Sequence, residues 1–181
     1  MNPKDNHSTA LRSANRRMHS PLRNHQHLPR LEQLIRLPAI VSLDMASFLE
    51  EGLFLKEKEF RSAIQQLDTK AFDQKVVALH CSTDAILPLW SWMLVSIHLQ
   101  DAATEVQRGT TEEVRERLYH QRIHGLTLET YKDAKVIVKG CSSGVPTSAY
   151  MALSQRLRPV VKSLMFGEAC SSVPLFKRSR A

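Results

Sequence analysis

Cysteine is scarce in this sequence, which has only Cys81, Cys141 and Cys170 among its 181 residues. So small and odd a count does not suit the disulfide framework of a secreted domain. The amino terminus is polar, which excludes a secretory signal peptide there. No apolar run approaches the roughly 20 residues of a membrane span, and the longest, residues 85–99, is interrupted by a proline, two serines and a histidine. These absences predict a cytoplasmic protein without a membrane partner, in which the cysteines are thiols or metal ligands.

The body of the chain also lacks a basic excess, although the whole chain has a formal net charge of +7. Residues 1–30 carry six Lys or Arg and one acid, and residues 177–181 add three basic residues. Residues 31–176 hold 16 basic and 17 acidic residues, which argues against a nucleic-acid partner for the body. We predict a disordered, basic, His-rich tail at 1–30, a single domain at 31–176 and a basic tail at 177–181.

Apolar patterns typical of strands and helices alternate along the body. Short β-branched runs predict strands at 40–45, 75–81, 103–108, 135–141 and 160–170. Helical spacing predicts helices from 57, at 85–100, at 110–125 behind a capping box, and at 148–157. The helix at 85–100 is apolar almost all round, so we expect a buried central helix with Asp84 as its N-cap. The alternation predicts an α/β fold, a single domain with a mostly parallel or mixed sheet flanked by helices.

Each cysteine is followed by serine, and Cys81 and Cys141 close two of the predicted strands. If these are parallel strands of one sheet, the thiols emerge at the edge where ligands of open α/β sheets lie. Helix amino termini at that edge stabilise thiolates. Three thiolates and one oxygen form an accepted ligand set. We therefore predict a metal site of Cys81, Asp84, Cys141 and Cys170, with zinc or an iron–sulphur cluster as the cofactor.

Two alternatives to metal binding stay open, because the sequence has no Cys-x-x-Cys pair to anchor a site locally. One activated cysteine could act as a thiol or persulphide carrier in an enzyme. Alternatively, the three cysteines only pack in the core of a non-catalytic interaction module. No Gly-x-Ser-x-Gly motif and no recognisable Ser/His/Asp arrangement indicates another reaction.

Three sequence blocks resemble a known family: residues 78–93, then 136–141 with 145–150, and finally 159–176. Together they are similar to an uncharacterised bacterial family, domain of unknown function 2480, found mainly in Bacteroidetes, over about residues 37–177. The resemblance implies no activity. It implies that the three cysteines and Asp84, which fall inside the shared blocks, act together. It also implies iron–sulphur assembly proteins as candidate partners, and a homo-oligomer is left open.

Overall fold

The strands form two sheets in a computed structural model, which describes residues 26–140, 144–168 and 171–179. The strands are β1 Gln26–His27, β2 Ile40–Asp44, β3 Val76–His80, β4 Glu105–Arg108, β5 Lys135–Val138, β6 Ser163–Glu168 and β7 Ser171–Lys177. The helices are α1 Leu31–Leu34, α2 Glu57–Gln65, α3 Leu89–Leu99, α4 Thr111–His124 and α5 Thr147–Leu157. Within these residues, no helix combines the length and the apolar character that crossing a membrane requires.

The three-stranded sheet has the order β2-β3-β4 and is parallel throughout. The four-stranded sheet has the order β1-β5-β6-β7, with β7 antiparallel to β6. These arrangements confirm the predicted α/β class with mostly parallel strands and flanking helices. The expectation that the cysteine-bearing strands share one sheet is wrong, because β3 lies in one sheet and both β5 and β6 lie in the other.

Helix α4 joins the two sheets. Its amino-terminal half contributes Val114 and Leu118 to a cluster with Val76 and Ala78 of β3. Its carboxyl-terminal half contributes Tyr119 and Ile123 to the large core cluster of the four-stranded sheet. The predicted capping box is confirmed by both hydrogen bonds, Thr110 N–H to the Glu113 carboxylate at 2.8 Å and Glu113 N–H to the Thr110 hydroxyl at 3.3 Å.

Helix α3 differs from its predicted form in length and in burial. It begins at Leu89, with Pro88 at the N-cap, so Asp84 does not cap it. One side packs inward, where Val95 and Leu99 are fully buried. The opposite side leaves Leu89 77% and Met93 63% exposed. The helix is therefore an outer layer on the three-stranded sheet, and the expectation of a buried central helix is wrong.

Both ends of the described chain are folded further than predicted. β1 pairs with β5, and Leu28 is 1% exposed, so part of the expected tail at 1–30 belongs to the core; residues 1–25 lie outside the described residues. At the other end, Lys177 is the last residue of β7, and Arg178 N–H donates to the Lys162 carbonyl. The predicted basic tail at 177–181 therefore contributes to a strand.

Two parts of the chain, separated by α4, have matching local structure. The β3-α3-β4 unit and the β5-α5-β6 unit each hold two parallel strands joined through an 11-residue helix that a proline caps. Before each unit, one non-glycine residue has positive φ: Gln74 at 57° and Asp133 at 55°. Val77 and Leu79 belong to the core under α3, as Val136 and Val138 belong to the core under α5. In this correspondence, the position that matches Cys81 is Gly140.

Candidate ligand-binding cleft

Of the four predicted metal ligands, the structure describes only Cys81 and Asp84. Cys81 follows β3 as a free, half-buried thiol, and Asp84 is exposed. Cys141 and Cys170 lie outside the described residues, so their role as site residues stays a prediction. Within the part of the chain that the structure describes, no group of three or more His, Cys, Asp or Glu side chains could hold a metal ion. The function predicted for this protein, zinc or iron–sulphur binding through a cysteine cluster, is therefore wrong.

A cleft of about 640 Å³ opens instead at the carboxyl ends of β3 and β4. We call it the carboxyl-edge cleft. Ligands of open parallel sheets bind at this edge, and the volume is within the range of small-molecule sites. Its lining comes from the end of β3 and the loop after it, from α3, and from the start of α4: His80, Cys81, Thr83, Ala85, Ile86, Leu87, Trp92, Arg108, Gly109, Thr110, Glu113 and Arg117.

Two guanidinium groups give the cleft its positive charge. Arg108 lies over the Trp92 ring, 4.9 Å from the ring centroid. Arg117 donates through Nε to the Gln107 side chain at 2.9 Å and through Nη2 to the Arg108 carbonyl. Among the described residues, neither arginine has a carboxylate within ion-pair distance, and the Glu113 carboxylate accepts the capping hydrogen bond. The arrangement therefore favours an anion in the cleft.

His80 is held at the cleft by two side chains of β2. Its Nε2 is 2.7 Å from the Ser42 hydroxyl, and its Nδ1 is 3.9 Å from Asp44 Oδ1. Ser42 and Asp44 are two residues apart on one strand, so they share a face, and Asp44 is paired in register with His80. This Ser/His/Asp arrangement was missed in the sequence. The alternation of β2 offers a signal for Ser42 and Asp44, but only the pairing of β2 with β3 adds His80.

Asp44 is itself fixed by backbone donors. Its Oδ1 accepts hydrogen bonds from Ala46 N–H and Ser82 N–H, both at 3.0 Å. Partial burial acts to raise the pKa of the Asp44 carboxyl, but the hydrogen bonds from Ser82 and Ala46 and the nearby His80 outweigh it and lower the pKa below its ordinary value. Asp44 therefore stays ionised beside His80 and links the end of β2 to the loop after β3.

Cys81 lies at the rim of the cleft, where it faces a hydroxyl group. Its Sγ is 3.4 Å from the Thr83 hydroxyl, which donates to the Gly52 carbonyl at 2.7 Å. This contact ties the loop after β3 to the turn at Gly52. Cys81 can therefore contact a ligand in the cleft without taking part in a cysteine cluster.

Replacing Asp44 with asparagine is expected to lower the free energy of unfolding at neutral pH by about 1 kcal/mol, because charge-assisted hydrogen bonds are lost. The folded state lowers the pKa of Asp44, so its carboxylate stabilises the protein above the ordinary value of 3.8. That stabilisation is lost as the pH falls through the lower folded-state pKa. The difference between wild type and D44N should therefore shrink between about pH 5 and pH 2 in urea unfolding.

The matched control for this prediction is Asp84→Asn, because Asp84 is exposed and makes no hydrogen bond within the described part of the chain. D84N should leave the unfolding midpoint unchanged at each pH. If the free energy of unfolding of D44N stays below that of wild type by the same amount across the acid range, the role given to the Asp44 carboxylate is contradicted.

Comparison with known proteins gives a family match. A family model described as "Protein of unknown function (DUF2480)" matches residues 14–178, a range that contains every described strand and helix and the three sequence blocks. Searches of curated proteins and of solved structures found no match. The expected bacterial origin stays a prediction, as do the expected partners, iron–sulphur assembly proteins or further copies of the chain.

Proposed function

Since the chain belongs to the family of domain of unknown function 2480, as its sequence blocks predicted, we propose from its own cleft that it binds a small organic acid. The carboxylate of the ligand lies between Arg108 and Arg117, and its apolar part lies against Trp92 and the loop after β3. His80 exchanges a proton with the ligand or with water beside it.

The observation that carries this proposal is the pair of arginines without a carboxylate partner among the described residues. A guanidinium group donates two parallel hydrogen bonds to a carboxylate, which favours that group over a halide or a neutral molecule. The Trp92 ring keeps the Arg108 guanidinium at 4.9 Å from its centroid. Arg108 is therefore held in place before a ligand arrives, which reduces the entropy lost on binding.

The apolar side of the cleft favours a ligand that also has an apolar part. Ile86 is 97% exposed and Leu87 is half-buried, and both line the cleft beside Trp92. Covering this apolar surface removes it from water, a gain of about 25 cal/mol per Å². A carboxylate on a hydrocarbon or aromatic body therefore fits the cleft better than an inorganic anion.

His80 supplies the cleft with an imidazole ring, which has one nitrogen that can donate a proton and one that can accept it when the ring is neutral. One ring nitrogen is next to Ser42 and the other faces Asp44, so the ring orientation is set from two sides. The ionised Asp44 favours a proton on Nδ1, which leaves Nε2 to exchange a proton through the Ser42 hydroxyl.

Arg108→Ala is expected to weaken binding of benzoate, a simple aromatic carboxylate, by about tenfold or more, since a charge-assisted hydrogen bond contributes about 1.5–3 kcal/mol. The measurement is an NMR titration, in which the amides of residues 79–83 and 108–113 should shift on binding. Arg61→Ala is the matched control, because Arg61 also lies over a tryptophan, Trp90 at 5.2 Å, but outside the cleft. Equal affinities of R108A and R61A, or shifts confined to other residues, would count against the proposal.

We also propose a cytoplasmic location. The free thiol of Cys81 supports it, because unpaired thiols persist in reducing compartments. Fractionation of the native host, with the protein followed by an antibody, tests this location directly, and recovery in a membrane or secreted fraction would contradict it.

A further inference from the structure

A second cleft, of about 670 Å³, lies at the opposite edge of the other sheet, where β5 and β6 begin and β7 ends. We call it the basic cleft. Four of its lining residues are cationic and two carry hydroxyl groups: Lys135, Lys162, Ser163, Lys177, Arg178 and Ser179. It shares no residue with the carboxyl-edge cleft.

The sheet register arranges three of these residues in one row. Lys135 of β5 is paired with Ser163 of β6, and Ser163 is paired with Lys177 of β7. Register partners on adjacent strands have their side chains on the same face, and neighbouring strands are about 4.8 Å apart. The Ser163 hydroxyl is therefore flanked on both sides by a lysine, at a spacing that suits one multivalent anion.

The charges of the basic cleft are left largely unbalanced. Arg178 forms an ion pair with Asp133 at 2.7 Å, and its guanidinium also donates to the Pro159 carbonyl at 3.0 Å. The three lysines have no carboxylate within ion-pair distance among the described residues. Lysines that line one cleft without carboxylate partners can share a bound anion.

The antiparallel pairing of β7 creates this cluster. Lys177 and Arg178 are distant in sequence from Lys135, and the charge distribution along the chain predicts a basic tail there. Instead, β7 returns beside β6, and Arg178 N–H donates to the Lys162 carbonyl at 2.9 Å. Residues from three separate segments therefore meet at one edge of the sheet.

We propose that the basic cleft binds the phosphate group of a small phosphorylated molecule. Lysine ammonium groups bind phosphate as point charges from several directions, whereas a carboxylate is matched better by the planar fork of arginine. The Ser163 hydroxyl supplies a hydrogen-bond donor between the two lysines. The volume accommodates a phosphorylated metabolite rather than a bare ion alone.

The test uses the full chain and inorganic pyrophosphate as the probe, measured by calorimetry and by NMR at low ionic strength. The double variant K135A/K177A is compared with K58A/K70A, which removes two exposed lysines outside the cleft and gives the same net charge. We expect at least a tenfold loss of affinity in K135A/K177A and no change in K58A/K70A. Equal losses in both double variants would show attraction to net charge alone and would overturn the proposal.

Lys162→Ala tests the proposal without the risk that the sheet fails to fold. Lys162 lies outside the strands, so the substitution leaves the sheet register intact. We expect a three- to tenfold loss of pyrophosphate affinity with an unchanged thermal unfolding midpoint. Wild-type affinity in K162A, or the absence of saturable pyrophosphate binding by wild type, would overturn the proposal. Binding of single-stranded oligonucleotides that tightens with length and exceeds pyrophosphate binding would overturn it in favour of a nucleic-acid surface. R108A should bind pyrophosphate normally, which separates this site from the carboxyl-edge cleft.

Discussion

Replacing Gly167 with alanine is expected to destabilise the protein by about 3 kcal/mol or more. Gly167 has φ of +126°, a conformation that L side chains rarely adopt. A Cβ there would lie 2.4 Å from the Ser171 carbonyl oxygen and 3.1 Å from Ser172 Cα. Both are backbone atoms of β7, so relief of the clash requires β7 to move away from β6. Backbone strain costs about 1–3 kcal/mol and overpacking adds about as much.

Gly144→Ala is the control for this prediction, because Gly144 also has positive φ, +82°, but no atom of the described residues lies within 4 Å of the added Cβ. G144A should lower the free energy of unfolding by about 1 kcal/mol, because of backbone strain alone. The free energy of unfolding of both variants, measured with urea, separates strain from the clash. Similar losses in G167A and G144A would contradict the close approach of β7. Because Lys177 is on β7, G167A should also weaken pyrophosphate binding in the basic cleft.

Replacing Arg156 with alanine is expected to destabilise the protein by about 2–3 kcal/mol. The Arg156 guanidinium of α5 donates to the carbonyls of Ile123 and Leu126 and to that of His124 at 2.6 Å. These carbonyls lie at the end of α4, where helix geometry leaves backbone acceptors without partners. Arg156 therefore donates hydrogen bonds to carbonyl groups at the end of α4 and places a positive charge at the negative end of the helix dipole.

Arg156→Lys is the matched variant, because it keeps the charge but removes the planar fork that reaches several carbonyls at once. R156K should retain less than half of the free energy of unfolding that R156A loses. Hydrogen exchange should locate the effect, with faster exchange in the last turn of α4 in both variants. An R156A protein as stable as wild type would show that water satisfies these carbonyls equally well.

Local features were predictable from the sequence. The capping box at Thr110, the β-branched runs of β3 and β5, and the apolar face of α2 each depend on residues within about one turn or one strand. The partition of the strands between two sheets was not predictable in this way. β3 and β5 have similar patterns, and they belong to different sheets because they pair with different, distant strands.

The repeated Cys-Ser dipeptides predicted one shared site, and this prediction also depended on how distant segments are arranged. In the matching units, Val77 and Leu79 correspond to Val136 and Val138, so the residue that corresponds to Cys81 is Gly140. The dipeptides at 81–82 and 141–142 therefore do not occupy corresponding positions in the two units.

The two clefts depend on contacts between distant segments. In the carboxyl-edge cleft, Arg108 is the last residue of β4 and Arg117 lies on α4, and the turn at Gly109 brings them together. The His80 ring meets Ser42 through the pairing of β2 with β3. The sequence indicated the edge of the sheet at which the carboxyl-edge cleft lies, because strands β3 and β4 were predicted correctly. It did not indicate the charge of the cleft.

The shared packing of α4 has a thermodynamic consequence. Val114 and Leu118 belong to the core of one sheet, while Tyr119 and Ile123 belong to the core of the other. Neither core can open fully without exposing part of the other, since one continuous helix contributes to both. The two sheets should therefore melt in a single cooperative transition, with equal van't Hoff and calorimetric enthalpies.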